Sequence, residues 1–207
     1  MTAPTGPLHE RVVVVTGGSR GIGAAVVRTA HRDGATVVLH YGSADAVARA
    51  VADELGGERS HLVRGDLAEP SGPDATWSAA LDAAGRVDVL VNNAGAWIAS
   101  PVHDRPAWST GWQRNLTLNL TAPAELCRLA IQHFRAAGGG SSSNSPAGRV
   151  GTDLAAGELD PALVASLPLR EVTPPQDVAE VIAFLASGRA RHTTGATIDI
   201  TGADYVR

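Results

Sequence analysis

The sequence predicts an α/β domain, a doubly wound parallel sheet between two layers of helices, and three observations predict it. Short β-branched runs alternate with amphipathic stretches of helical length along most of the chain. The first run, Val12-Val13-Val14-Val15, leads straight into Thr16 and three spaced glycines, Gly17, Gly21 and Gly23. A later run ends on Asn92-Asn93-Ala94-Gly95. Alternating strand and helix signals make a parallel sheet joined by crossover helices. An unbroken run of valines suits a strand covered on both faces.

Residues 1–10 hold Pro4 and Pro7 and no periodicity, and read as a flexible tail before a single domain at 11–207. Arg11–Thr16 reads as a strand and Ile22–Asp33 as a helix stopped by Gly34. Thr36–His40 is a second strand, and Ala44–Leu55 a helix closed by Gly56-Gly57. His61–Arg64 is a third strand ending at Gly65-Asp66, Pro73–Ala84 a helix, and Val87–Asn92 the fourth strand. Pro106–Ala136 carries a helix whose start the pattern leaves open, with Gly138-Gly139-Gly140 ending it. There the alternation fails. Gly138–Ser145 has the composition of a flexible Gly/Ser linker. A short helix near Pro161–Ser166, a helix at Pro175–Ser187 and a last strand at Thr197–Thr201 follow, with no strand signal between Asn93 and Ala196.

Bulk composition narrows the function. A chain of 207 residues with 44% hydrophobic content can build one core. Its net charge of -4 argues against a nucleic-acid surface. No apolar run approaches membrane-spanning length and no basic-then-apolar signal segment opens the chain, so a cytoplasmic protein is expected. Cys127 is the only cysteine, which rules out an intrachain disulfide and a cysteine-rich zinc site and suits a small buried hydrophobe in a reducing compartment. All 17 Lys+Arg residues are arginines. The seven histidines show no metal spacing, so no metal site is expected. Trp97, Trp108 and Trp112 follow Asn92–Gly95 and read as pocket lining or as packing groups. Asp104, Asp153 and Asp160 read as loop or helix-cap groups.

The strand–glycine–helix order of Val12–Gly23 is what holding a pyrophosphate requires. Gly17 lets the chain turn sharply, Gly21 and Gly23 let backbone approach phosphate and strand, and the first helical turn offers free N–H groups and a favourable dipole. Asn92–Gly95 stands at a strand's carboxyl end, where open parallel sheets bind ligands, although a simple turn has the same composition.

Together, Thr16–Gly23 and Asn92–Gly95 make the chain resemble the short-chain dehydrogenase/reductase family, over nearly all of Arg11–Arg207. The resemblance implies a three-layer Rossmann-like domain that transfers hydride between NAD(P)(H) and a carbonyl or alcohol. It implies that Gly17, Ser19, Arg20, Gly21, Ile22 and Gly23 line the cofactor loop. Asp66, with Leu67 beside it, would meet the adenine, and Asn93, Ala94 and Gly95 would approach the cofactor from the fourth strand. Val150 and Thr152, within Gly148–Asp153, would contact the nicotinamide end. Asn119, in Leu118-Asn119-Leu120, resembles a helical asparagine that supports a proton relay through water. Two departures stand out: Pro146-Ala147 replaces the expected Ala-Pro, and Ala203 ends the stretch after Thr197–Gly202.

NADP is preferred over NAD. An acid ending the second strand would bind a ribose 2′-OH and repel a 2′-phosphate. Here the strand ends His40-Tyr41-Gly42-Ser43. Arg20 can make a charge-assisted contact to a 2′-phosphate and Ser43 can add a hydrogen bond. The competing reading of Arg20 is a solvated loop charge.

The family's chemistry rests on a tyrosine acid/base and a lysine four residues later, which lowers the tyrosine pKa. This chain has no lysine, and its two tyrosines, Tyr41 and Tyr205, lie outside any such motif. Ser141, Ser142, Ser143 and Ser145 follow glycines with no apolar strand before them and read as linker. A strand–helix–strand unit takes about 30 residues or more, and the family's fifth strand, tyrosine helix and sixth strand would fall between Ala136 and Pro146. The expectation is a sheet truncated by an internal deletion of that unit. The alternative is that the serines are a remnant of the family's serine segment. Under the deletion, Thr197–Thr201 is expected to move beside Val87–Asn92. The usual family dimer is in doubt, and the apolar face of 116–134 (Leu116, Leu120, Leu126, Leu129) would be left exposed. Two functions stay open: an oxidoreductase with impaired or absent turnover on a small carbonyl substrate, or a non-catalytic NADP(H)-binding or scaffold module.

Overall fold

In the computed structural model, residues 6–145, 150, 152 and 160–201 are described. Five parallel strands form one sheet in the order β3-β2-β1-β4-β5: β1 (Val12–Val15), β2 (Thr36–Tyr41), β3 (Ser60–Arg64), β4 (Val89–Asn92) and β5 (Ser141–Asn144). The helices are α1 (Gly21–Arg32), α2 (Asp45–Leu55), α3 (Gly72–Ala84), α4 (Arg105–Leu116), α5 (Ala122–Ala137), α6 (Pro161–Ser166) and α7 (Pro175–Ala186).

The valines of β1 divide between two cores because side chains alternate across a strand. Val13 and Val15 join Val37, Leu39, Val89 and Val91 under α1, α2 and α7. Val12 and Val14 join Val38, Val63 and Leu90 under Trp77 of α3 and Leu126, Ala130 and Phe134 of α5. The three layers are therefore the ones the alternation predicts. Asp104 Oδ1 accepts from Ala107 N at 3.0 Å and Asp160 Oδ1 from Ala162 N at 2.8 Å, so both aspartates cap helices as expected. Asp153 lies outside the described residues.

Five expectations are corrected. The Gly138–Ser145 linker is in fact a helix stop and a strand. Gly138 (φ +84°) closes α5 in the left-handed conformation, and Gly139 N donates to Phe134 O at 2.9 Å. Ser141–Asn144 then pairs with Val89–Asn92, flanked by Ser141 N to Asp88 O at 3.0 Å and Ser145 N to Asn92 O at 2.9 Å. The strand has no apolar residue; β4's unpaired edge supplies main-chain partners, which buried backbone requires whatever the side chains. Being at the sheet's edge, serines reach partial solvent. Thr197–Thr201 does not pair with β4, because β5 already holds that edge; residues 196–200 are in no ladder, and Ile200 packs on the first core.

The tail assignment of 1–10 fails where the structure is described. Leu8 is fully buried, and its N–H donates to Asp33 O at 2.9 Å, tying residues 6–10 to the end of α1. The long helix is broken by a π turn at Thr117–Thr121. Pro123 explains it: the ring has no N–H and crowds the carbonyl four residues back, at Asn119. The apolar face of 116–134 is mostly covered, since Leu126 is buried on the sheet, and only Leu120 of the four leucines is exposed.

Candidate cofactor-binding site

The carboxyl ends of β1 to β4 converge on one rim, and most of the expected site residues lie there. Thr16 is its hub. Its hydroxyl accepts from Asn93 N and Ala94 N, both at 2.9 Å, and donates to Val91 O at 3.4 Å, while Asn93 Nδ2 donates to Thr16 O at 2.9 Å and Gly17 O at 3.1 Å. The β1 turn and the β4 end are thereby locked together. Gly17 turns at φ +64°, and a Cβ there would sit 2.9 Å from Ala94 Cα. A Cβ on Gly23 would strike Gly17 O and lie 2.5 Å from Asn93 Nδ2. Gly21 sits under Thr152, whose Cγ2 is 3.0 Å from where its Cβ would be. The structure thus brings Thr152 to the glycine loop across about 130 residues of chain, as a close approach of three segments demands. Ser19 and Ile22 are buried and Arg20 is exposed at the N-terminal boundary of α1, whose first turn carries no acid.

Ser43 and Asp66 lie exposed at the ends of β2 and β3, with Leu67 buried behind them and Asp66 Oδ1 accepting from Ala68 N at 2.9 Å. Val150 is buried in the first core and bridges Thr173, and its carbonyl accepts from Thr152 N at 2.7 Å. The Asn119 amide faces Ala96, accepting from its N–H at 3.1 Å and donating to its carbonyl at 2.8 Å. One turn earlier Asn115 makes the same pair with Ile98, at 3.0 and 2.7 Å. The two amides hold 96–98 extended along the helix. Trp97, between them, is left 77% exposed, and Trp108 and Trp112 stack on each other at 5.9 Å.

Three residues of this site were missed in the sequence. Thr16 could have been found, since a hydroxyl between four valines and a glycine turn must find buried partners. Asn115 had its spacing from Asn119 as a signal. His40 had none, because it sits in an apolar strand like a packing residue. Its buried ring accepts at Nδ1 from Gly17 N at 3.4 Å and donates from Nε2 to Gly65 O at 3.1 Å, joining the ends of β1, β2 and β3. Only the neutral ring fits, because a charged ring would turn a hydrogen on Nδ1 toward the Gly17 N–H. Burial accordingly pushes the imidazole down to about 4. Acidification protonates the unfolded chain first, so this stabilisation is complete above about pH 6.5 and falls away as pH drops from there to about 4, by about 3 kcal/mol in all. Urea midpoints between pH 7.5 and 4 should show this slope, and His40→Gln should flatten it.

Tyr41 is buried at the end of β2, and desolvation pushes its hydroxyl above the ordinary value, keeping it neutral. Tyr205 lies outside the described residues. Among the described residues no group of three metal-ligating side chains is found, and no helix is long and apolar enough to cross a membrane.

Comparison with known proteins agrees with this geometry. The 3beta-hydroxysteroid dehydrogenase 1 of Eggerthella lenta is 32% identical over 246 aligned positions, covering 94% of this chain and 94% of that protein. A blue fluorescent protein from a metagenomic library, solved with NADPH, superposes with a TM-score of 0.81 at 30% identity over 95% of this chain and 98% of its own. The angucycline C-6 ketoreductase LanV, solved with NADP, superposes with a TM-score of 0.80 at 25% identity, over 98% of both chains. A profile described as short chain dehydrogenase matches residues 11–153, the span that holds the glycine loop, the Asn93 bridge and all five strands. The chain therefore belongs to the short chain dehydrogenase family.

Proposed function

We propose that the chain binds NADP(H) on the rim above β1 to β4 and that the family's hydride transfer to a small carbonyl substrate is impaired or absent in it. The absence of any lysine carries the second half of this reading. When bound, the nicotinamide would supply or accept the hydride; a proton must also move to or from the substrate oxygen. Tyr41 is buried at the adenosine side, and Asn119 spends its amide on Ala96, which makes it a positioning residue. Neither holds a proton where a carbonyl would sit.

The residues present fit the dinucleotide. No side chain fits at Gly17, which lies against Ala94 at the end of β4, or at Gly23, where α1 meets the loop; the first turn of α1 has no acid to repel phosphate, and Arg20 stands exposed beside it. Two relatives solved with NADPH or NADP support the phosphorylated cofactor. An internal deletion is supported by alignment length: 246 aligned positions against 207 residues leave at least 39 positions empty here. The presence of β5 favours a missing segment after Asn144 and the reading of the serines as a remnant of the family's serine strand. The reading places no nucleic acid, membrane or metal among the partners.

Two measurements test it. Titration with NADPH should show saturable binding, and NADPH oxidation over a panel of ketones and aldehydes should stay at the uncatalysed rate. Turnover above that rate would overturn the non-catalytic half, and no binding would overturn the NADP(H) half.

A further inference from the structure

The corner where β1, β2 and β3 end has a cation that the cofactor loop does not contain. Arg64, the last residue of β3, pairs directly across from Tyr41 of β2. Its Nε donates to Gly42 O at 3.3 Å, which draws the guanidinium over the turn that follows β2. Its Nη1 lies 3.6 Å from Asp45 Oδ2, at the start of α2. The turn between them is short, with Asp45 N donating to Ser43 O at 3.1 Å. Arg64 and Asp45 are 63% and 47% exposed, so their pairing is loose, screened and easily exchanged.

β2 lies between β1 and β3. The space above its end is therefore flanked on one side by the glycine loop with Arg20 and on the other by Arg64. Among the described residues, Arg20 has no side-chain partner and Ser43 stands exposed between the two. A dinucleotide with its pyrophosphate over Gly17–Gly23 and its adenine by Asp66 and Leu67 carries its adenosine ribose across this same point. A 2′-phosphate there meets a cation from each side. Arg64 is anchored through Nε and keeps its two terminal nitrogens for phosphate oxygens, a bidentate geometry that a guanidinium favours.

Resting on the NADP(H) reading above, we infer that Arg64 is a specificity-determining residue, the second cation of the 2′-phosphate site, and that Asp45 holds it in place until the phosphate displaces the carboxylate. Arg64 would discriminate against NAD(H), because without the phosphate it keeps its pairing with Asp45 and gains nothing.

The test is calorimetric binding at low ionic strength on the full chain, with NADPH, NADH, adenosine 2′,5′-bisphosphate and AMP, for the wild type, Arg64→Gln and Asp45→Asn. Arg64→Gln should weaken NADPH and the bisphosphate by about tenfold and leave NADH and AMP within about twofold. Asp45→Asn should tighten NADPH a few-fold, because the arginine is then free before the ligand arrives. Circular dichroism and thermal unfolding on the same samples separate a folding defect from a binding one. Equal losses for NADPH and NADH in Arg64→Gln, or an unchanged NADPH affinity, would overturn the inference while leaving the NADP(H) reading intact. An Asp45→Asn variant with unaltered NADPH affinity would overturn the exchange of partners. A wild type that binds none of the four ligands would overturn the function proposed above and this inference with it.

Discussion

Gly23→Ala is expected to lower NADPH affinity by more than tenfold and the thermal midpoint by roughly 5–10 °C. The added methyl would land on Gly17 O and beside Asn93 Nδ2. Neither is a flexible tip. Gly17 O is main chain in a turn at φ +64°, and the Asn93 amide is already committed to Thr16 O and Gly17 O. Either α1 backs away from the loop or the β1–β4 bridge opens, and both movements displace the N–H groups proposed to hold the pyrophosphate. Crowding a well-packed interior costs about 1–3 kcal/mol before those hydrogen bonds are counted. Thermal unfolding and cofactor titration on one preparation check it. A variant that binds NADPH like the wild type would mean that the pyrophosphate lies elsewhere.

Asp88→Ala should be as damaging to stability and harmless to binding. Asp88 lies before β4, at the opposite end of the sheet from the rim. Its buried carboxylate accepts from Val12 N at 2.8 Å and pairs with Arg86, while its own carbonyl accepts from Ser141 N at 3.0 Å. One residue thus ties the starts of β1, β4 and β5. Removing the carboxylate leaves the buried Val12 N–H unpaired, at a cost of about 3 kcal/mol. Asp88→Asn keeps an acceptor for Val12 and loses only the pairing with the largely exposed Arg86, so about 1 kcal/mol is expected. Urea midpoints should rank wild type above Asn above Ala, and NADPH affinity of the folded protein should not change across the three.

These two positions show what was legible in the sequence. The glycine turn could be read because strand, glycines and helix are contiguous, and each has a local physical requirement. Strands β1, β2 and β4 could be read because burial on both faces leaves an apolar run, and the shorter Leu62-Val63 pair marked β3. β5 could not. Its four residues are polar, its composition matches a linker, and what makes it a strand is the free edge of β4, a tertiary fact. Thr197–Thr201 shows the reverse: a good strand pattern with no edge left to join. Leu8 was hidden because a lone leucine after Pro7 carries no periodicity, yet packing against the end of α1 at Asp33 buries it. The bridging of His40 needed three strand ends at once, which no local window contains.

The division of β1 between two cores has a consequence for how the chain finds its alignment. In a strand with one wet face, a slip of one residue is penalised because it turns apolar groups to water. β1 has no wet face: Val12 to Val15 are identical and all buried, so a slip would exchange one valine for another except at one end, where Arg11 or Thr16 would enter. Apolar burial therefore says little about which pairing is correct. The information must come from polar pins at the two ends of the strand: the Asp88 carboxylate on the Val12 N–H, and the Thr16 hydroxyl under Asn93 and Ala94. A one-residue shift would unmake both at once. The contacts that shape the cofactor rim are thus also the ones that tell the central strand where to stop.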